Sequence, residues 1–162
     1  MNFHHNENFE LYYTIISRDK KIEKKCTLYP LRGRSDFSFR TRKDPGEFSS
    51  SAVLLFPNAK ALTPEHANEI KNQASEKSKL EIVLIDSRWK KTKGILDLLP
   101  PLKKVSLEGY STGAVRRDPP PEGGLASCEA LYLASQKFGK PDLSLLENYH
   151  FKERFIEINA II

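Results

Sequence analysis

One short run narrows the folds open to this chain. Residues 81–86 read EIVLID, four consecutive apolar side chains between acidic ends, the pattern of a strand inside a layered protein. Helical signals flank it. Thr63, Pro64 and Glu65 predict a helix to about Lys77, with Thr as N-cap, Pro in the first turn and an acid facing the positive end of the dipole. After the strand, Trp89, Thr92, Ile95, Leu96 and Leu99 keep helical spacing until Pro100 and Pro101 stop it. Further strands are expected at 11–17 (LYYTIIS), 52–56 (AVLLF) and 103–107. Ser127 is expected to cap a helix to about Phe138, and a final amphipathic helix to run from Asp142 toward Asn159. Strands alternating with helices predict an α/β fold with a largely parallel sheet.

Length and composition agree. With 162 residues and 39% hydrophobic content, the chain suits a single domain over 1–162 with enough apolar material for a core. No run of about 18 apolar residues exists, which argues against a spanning helix and a membrane partner. Residues 1–10 are polar and carry no apolar signal region. Cys26 and Cys128 lie too far apart to read as a metal-spaced pair, so neither a disulfide scaffold nor a metal site is expected. The expectation is a soluble, reduced, cytoplasmic protein.

The net charge of +5 is unevenly spread. Between positions 18 and 43 there are ten basic residues (Arg18, Lys20, Lys21, Lys24, Lys25, Arg32, Arg34, Arg40, Arg42, Lys43) against three acidic ones (Asp19, Glu23, Asp36), so this stretch carries +7 and the remainder nets −2. Such a block is either a solvated face or a surface for a polyanion, whose counterions are released on contact. Phe37 and Phe39 among the arginines offer faces on which bases stack. The region over 18–50, broken by Gly33, Pro45 and Gly46, is expected to be rich in loops, and so is 109–124, with four glycines and three consecutive prolines.

In open α/β sheets ligands gather at the carboxyl ends of strands, where Asp86 falls, with Trp89 three residues on. Asp86 as a helix cap and Trp89 as core is the plain structural interpretation. A carboxylate beside an indole also suits a sulfonium or an amine. Small residues at 123–127 before a helix let a ligand reach backbone N–H groups, or simply start the helix well. G-x-G-x-x-G, Walker, H-E-x-x-H and G-x-S-x-G patterns are absent. His4 and His5 lie in a polar tail, and His66 and His150 read as surface or packed residues. Lys24 and Lys25 beside Cys26 are expected to lower its pKa, without a patterned His or Asn partner for a nucleophile.

Taken in order, five segments make the chain resemble the DTW-domain proteins and the related ribosomal-RNA aminocarboxypropyltransferases. They are KKCT (24–27), LFPNAKALTPEHA (55–67), IDSRW (85–89, the D-x-x-W signature), GLASCEALYLA (124–134, the L-S/T-x-E-A helix start) and FKERFIEIN (151–159). Departures exist. Ser87 and Arg88 stand where the DTW branch has Gly-Thr, the N-terminal cysteine cluster of that branch is absent, and GYSTGAVRR (109–117) replaces the N-P-x-N-Y-G loop of the ribosomal branch.

The resemblance implies a SPOUT-like parallel sheet flanked by helices, with a C-terminal knot, and a cofactor-binding core over 51–162. It implies S-adenosyl-L-methionine as donor of a 3-amino-3-carboxypropyl (acp) group, with no metal, and RNA (rRNA or tRNA) as partner, compatible with a monomer. The acceptor is a uridine or pseudouridine. By carry-over the cofactor-contacting residues are Thr27, Ile85, Asp86, Trp89, Leu102 and Ser127. Asp86 is then either the anchor of the arm's ammonium or the base for a nucleobase nitrogen. Lys24, Lys25, Arg32, Arg34, Arg116 and Arg117 are the expected phosphate contacts. A SPOUT-type RNA methyltransferase and a catalytically inactive RNA-binding module of the same fold are the alternatives.

Overall fold

The structure is a computed structural model that describes residues 9–17, 26–56, 59–86, 89–114 and 124–161, with the side chains of 89–91 outside the description. Five strands form one sheet: β1 (Glu10–Ser17), β2 (Phe37–Thr41), β3 (Val53–Leu55), β4 (Lys79–Asp86) and β5 (Lys103–Val105), in the order β2-β1-β4-β3-β5. All four pairings are parallel. The 81–86 run is the middle of this sheet. β4 pairs along its whole length with β1, Ile15 opposite Leu84 and Ser17 opposite Asp86, and on its other side with β3.

Both faces are covered, as a parallel sheet requires. Leu80 and Ile82 of β4 point into a main core with α1 (Pro64–Lys77) and α3 (Ser127–Lys137), which contributes Cys128, Leu131 and Ala134. Val83 points the other way, into a smaller cluster with Ile16, Leu54 and Ile95 of α2 (Trp89–Leu96). No helix among the described residues is long and apolar enough to cross a membrane.

α1 forms as its sequence dictates. Thr63 accepts the His66 N–H, Pro64 opens the first turn, and Ser78 closes the helix in the left-handed region at φ 56°. Three expectations differ. The basic region is not only loops: after a 3-10 turn at Tyr29–Leu31, β2 adds an edge strand to β1. Tyr13, Phe37 and Phe39 stack at centroid distances of 4.9 and 5.6 Å, so cross-strand aromatic packing outweighs the local turn signals. The last helix is split into a 3-10 turn at Leu143–Leu146 and α4 (Lys152–Ile158). Leu145, Leu146 and Phe155 all reach the core while Tyr149 is drawn to Glu129, and no single straight helix presents those four together. Finally, Ala126 rather than Ser127 occupies the N-cap of α3; the Ser127 side chain is used elsewhere.

Candidate functional site

Asp86 is the last residue of β4, at the carboxyl end of the sheet. Its Oδ1 accepts the Ser127 hydroxyl at 3.2 Å and its Oδ2 accepts the Cys26 thiol at 3.1 Å. The Cys26 Sγ accepts the Leu28 N–H in turn. One residue on, Thr27 Oγ1 accepts the Cys128 N–H in the first turn of α3, at 3.2 Å. Three segments distant in sequence thus close on one carboxylate: the loop after β1, the end of β4 and the start of α3. Among the described residues the partners of Asp86 are a thiol and a hydroxyl, neither of which neutralises a negative charge. A half-buried carboxylate held this way suits a cationic group of a ligand.

The start of α3 is held from behind by a carboxylate that motif reading reduces to a first-turn acid. Glu129 is fully buried and takes four donors: the Ala126 and Gly113 N–H groups at 2.7 and 2.8 Å, the Thr112 hydroxyl at 2.7 Å and the Tyr149 hydroxyl at 3.0 Å. Its position three residues after Ala126 is the capping-box spacing, the one signal in the sequence that points to it. Gly113 is needed where it stands, since a Cβ there would lie 2.6 Å from the Phe155 nitrogen of α4.

The expected lowering of the Cys26 pKa does not occur. Burial, and then the negative charge of Asp86, push the thiol up to about 12, and Cys128 rises to about 12 chiefly through burial. Both stay protonated at neutral pH, which suits Cys26 as a donor to Asp86 and not as a nucleophile.

Of the six residues carried over as cofactor contacts, Thr27, Asp86 and Ser127 come together. Ile85 and Leu102 lie on the other side, each packed, like Phe48, Phe56 and Leu96, against the cluster on the α2 face of the sheet. Ile85 therefore faces away from Asp86, as alternation along a strand demands. Trp89 is the first residue of α2, and its side chain lies outside the described residues.

Among the basic residues, Arg32 is exposed, its guanidinium 3.7 Å above the Tyr29 ring. Arg34 is tied to Asp36 at 2.8 Å, Asp142 at 2.9 Å and the Ser144 hydroxyl at 2.9 Å, fastening the turn before β2 to the C-terminal segment. Arg40 donates to the carbonyls of Pro45 and Glu47. Lys24, Lys25, Arg116, Arg117, His4 and His5 lie outside the described residues. His66 is buried within α1 with Nδ1 unpartnered, and His150 is exposed beside Phe151.

In comparison with solved structures, the fold is similar to that of the SAM-dependent rRNA:acp-transferase Tsr3 from Vulcanisaeta distributa. The TM-score is 0.65 at 19% identity, covering 93% of this chain and 80% of that one, a likeness of fold. No curated protein matches the chain. The family model of the DTW domain matches residues 20–156, a span that takes in β2 to β5, the Cys26–Asp86–Ser127 junction and α3, and the chain belongs to the DTW domain family.

Proposed function

We propose that this protein transfers the 3-amino-3-carboxypropyl group of S-adenosyl-L-methionine to a uridine or pseudouridine of rRNA or tRNA, as a single cytoplasmic domain over 1–162. The observation that carries the reading is the junction at Asp86, where a half-buried carboxylate with only neutral partners among the described residues closes the carboxyl end of a parallel sheet. Membership of the DTW family and the likeness to a SAM-dependent rRNA:acp-transferase supply the chemistry. The C-terminal knot implied by the resemblance is part of the same reading.

The residues present fit such a donor. A bound sulfonium supplies three electrophilic carbons, and position decides which reacts. Asp86 faces a cation, as anchor for the arm's ammonium or as acceptor of the nucleobase proton. Ser127 and Cys26 orient its two oxygens, and Thr27 pins the α3 N-terminus beside them. Trp89, three residues beyond Asp86 at the start of α2, packs near the sulfonium in this proposal, with Ile85 and Leu102 forming the apolar layer beneath α2. Arg32, together with Lys24, Lys25, Arg116 and Arg117, contacts phosphates of the RNA, whereas the Arg34 guanidinium, expected from the sequence to do the same, is taken up by Asp36, Asp142 and Ser144.

The test uses two labelled donors, one with the label in the methyl group and one with it in the carboxyl group of the arm, each incubated with the protein and total rRNA or tRNA. Carboxyl label appearing in RNA supports the proposal. Methyl label in RNA would show a methyltransferase, and RNA binding without transfer of either label a binding module.

A further inference from the structure

At the amino end of the sheet a cavity of about 300 Å3 is lined by Glu10, Leu11, Tyr13, Asp36, Lys140 and Asp142. Three pieces of chain form it: the start of β1, the residue before β2 and the segment that follows α3. β1 begins with Glu10 opposite Lys79 and ends with Ser17 opposite Asp86, so the cavity and the Asp86 junction lie at opposite ends of the strand. Its size is at the lower limit for a small-molecule site.

Tyr13 carries the feature that packing does not explain. Its side chain is 2% exposed and its ring stacks on Phe37 at 4.9 Å, yet its hydroxyl has no hydrogen-bond partner among the described residues. A buried hydroxyl left unpaired costs stability. It lies in the field of two carboxylates: after burial, the charges of Asp142 and Asp36 raise its pKa, although neither bonds it. The charges of the lining do not balance. Asp36 and Asp142 share one cation, Arg34, at 2.8 and 2.9 Å, and Glu10 and Lys140 offset each other, which leaves one negative charge. The Lys140 ammonium stands 5.1 Å from the centre of the Phe9 ring and forms no ion pair among the described residues. Water would satisfy the hydroxyl but leave the charge. A primary ammonium, with three N–H donors and one positive charge, answers both.

We infer that this cavity is a binding site for a small primary ammonium ion, held by the Tyr13 hydroxyl and the carboxylates of Asp36 and Asp142, with its apolar stem against Leu11. The site is independent of the function proposed above, since it needs neither the donor nor RNA. Asp86 is the other carboxylate on the chain suited to a cation, and the test separates the two.

Butylammonium is titrated into the full chain at about pH 7, where an alkylamine is protonated, at constant ionic strength, and backbone amide resonances are followed by NMR. Butanol, the same stem without charge, and tetramethylammonium, a cation without N–H groups, are the comparison probes. Butylammonium should bind saturably and shift the amides of Leu11, Tyr13, Lys140 and Asp142, with both comparison probes at least about tenfold weaker. Tyr13→Phe keeps the ring and removes only the hydroxyl. It should weaken butylammonium about tenfold, and its thermal midpoint should not fall, because the hydroxyl has no partner to lose. Asp86→Ala should leave butylammonium affinity within about twofold. The inference is overturned by a wild type without saturable shifts at those four amides, or by tetramethylammonium binding as tightly, which would show diffuse charge attraction alone. It is equally overturned if Tyr13→Phe binds like wild type or melts lower, the mark of a packing role. Loss of butylammonium binding in Asp86→Ala would overturn it too, by moving the ammonium to the other end of the sheet.

Discussion

Ser127 gives its hydroxyl proton to Asp86 Oδ1 across 3.2 Å, fastening the first turn of α3 to the last residue of β4. In the proposed function this bond orients the carboxylate that meets a cationic ligand. Ser127→Ala leaves Asp86 with the Cys26 thiol as its one remaining donor among the described residues. One hydrogen bond to a charged group is worth about 1.5 kcal/mol, so S-adenosylmethionine affinity should fall about tenfold. Asp86→Ala removes the charge itself and should abolish measurable binding. Calorimetry on both variants checks the order, and unchanged affinity in Asp86→Ala would rule out the site.

Glu129 holds the most donors of any side chain in this region. Glu129→Gln replaces an acceptor-only group by one that turns an NH2 toward the N–H and hydroxyl donors around it. With the group fully buried, the loss should reach about 3 kcal/mol. Urea unfolding of the two proteins measures it, and a difference near zero would show that the network contributes nothing to stability.

At Gly113 the limit is steric. A methyl group there would sit 2.6 Å from the Phe155 nitrogen and 2.8 Å from its Cα, and backbone cannot move aside as a flexible side chain does. Gly113→Ala should cost about 1–3 kcal/mol, the range for overpacking, read as a lowered thermal midpoint. Gly33, where an added methyl group would meet nothing within 4 Å, is the control position at which Ala should be neutral.

The periodic parts of the fold are legible because local signals and tertiary packing agree there. EIVLID is apolar on both faces since α1 and α3 cover one side of the sheet and α2 the other, and Thr63-Pro64-Glu65 starts α1 where it says it does. Disagreement comes where one residue serves a distant partner. Ser127 looks like a cap and instead bonds Asp86. Phe37 and Phe39 look like free base-stacking faces and instead stack on each other and on Tyr13. Cys26 looks activated by its lysines, yet burial and Asp86 govern it. Glu129 and Asn159 give no local sign of their roles beyond a capping-box spacing, because both act on residues 111–113, brought to them only by the return of the chain after β5.

Arg34 and Asp142 make an acid-sensitive tie between the N-terminal and C-terminal halves of the chain. Partial burial works to raise the Asp142 carboxyl, but hydrogen bonds from Ser144 and Arg34 outweigh it and hold it below its ordinary 3.8. A carboxyl depressed in the folded state stabilises above its unfolded pKa, and that stabilisation is lost as pH falls through the folded value. Thermal melts of wild type and Arg34→Ala should therefore differ at about pH 6 and draw together as the pH falls below 3.8. A constant difference across that range would show that the pair acts through packing alone.

The two thiols reverse that dependence at alkaline pH. Cys26 and Cys128 both move from 9.0 to about 12 on folding, so the unfolded chain loses these protons first. A group whose pKa is raised in the folded state stabilises fully below its unfolded value, and the contribution is lost as pH climbs through the folded one. Stability should thus decline between pH 9 and 12, more steeply than in the Cys26→Ser, Cys128→Ser double variant, whose hydroxyls do not titrate there. The difference between the two proteins isolates the thiols from Tyr13, which burial also raises and which both proteins share. Urea midpoints at about pH 8, 9 and 10 provide the comparison, and iodoacetamide an independent one: Cys26, protonated at about pH 8 though half-buried, should react far more slowly folded than in urea. Parallel pH profiles, or fast alkylation of the folded protein at that pH, would mean that folding does not hold the proton on Cys26 and that its thiol is not a donor to Asp86.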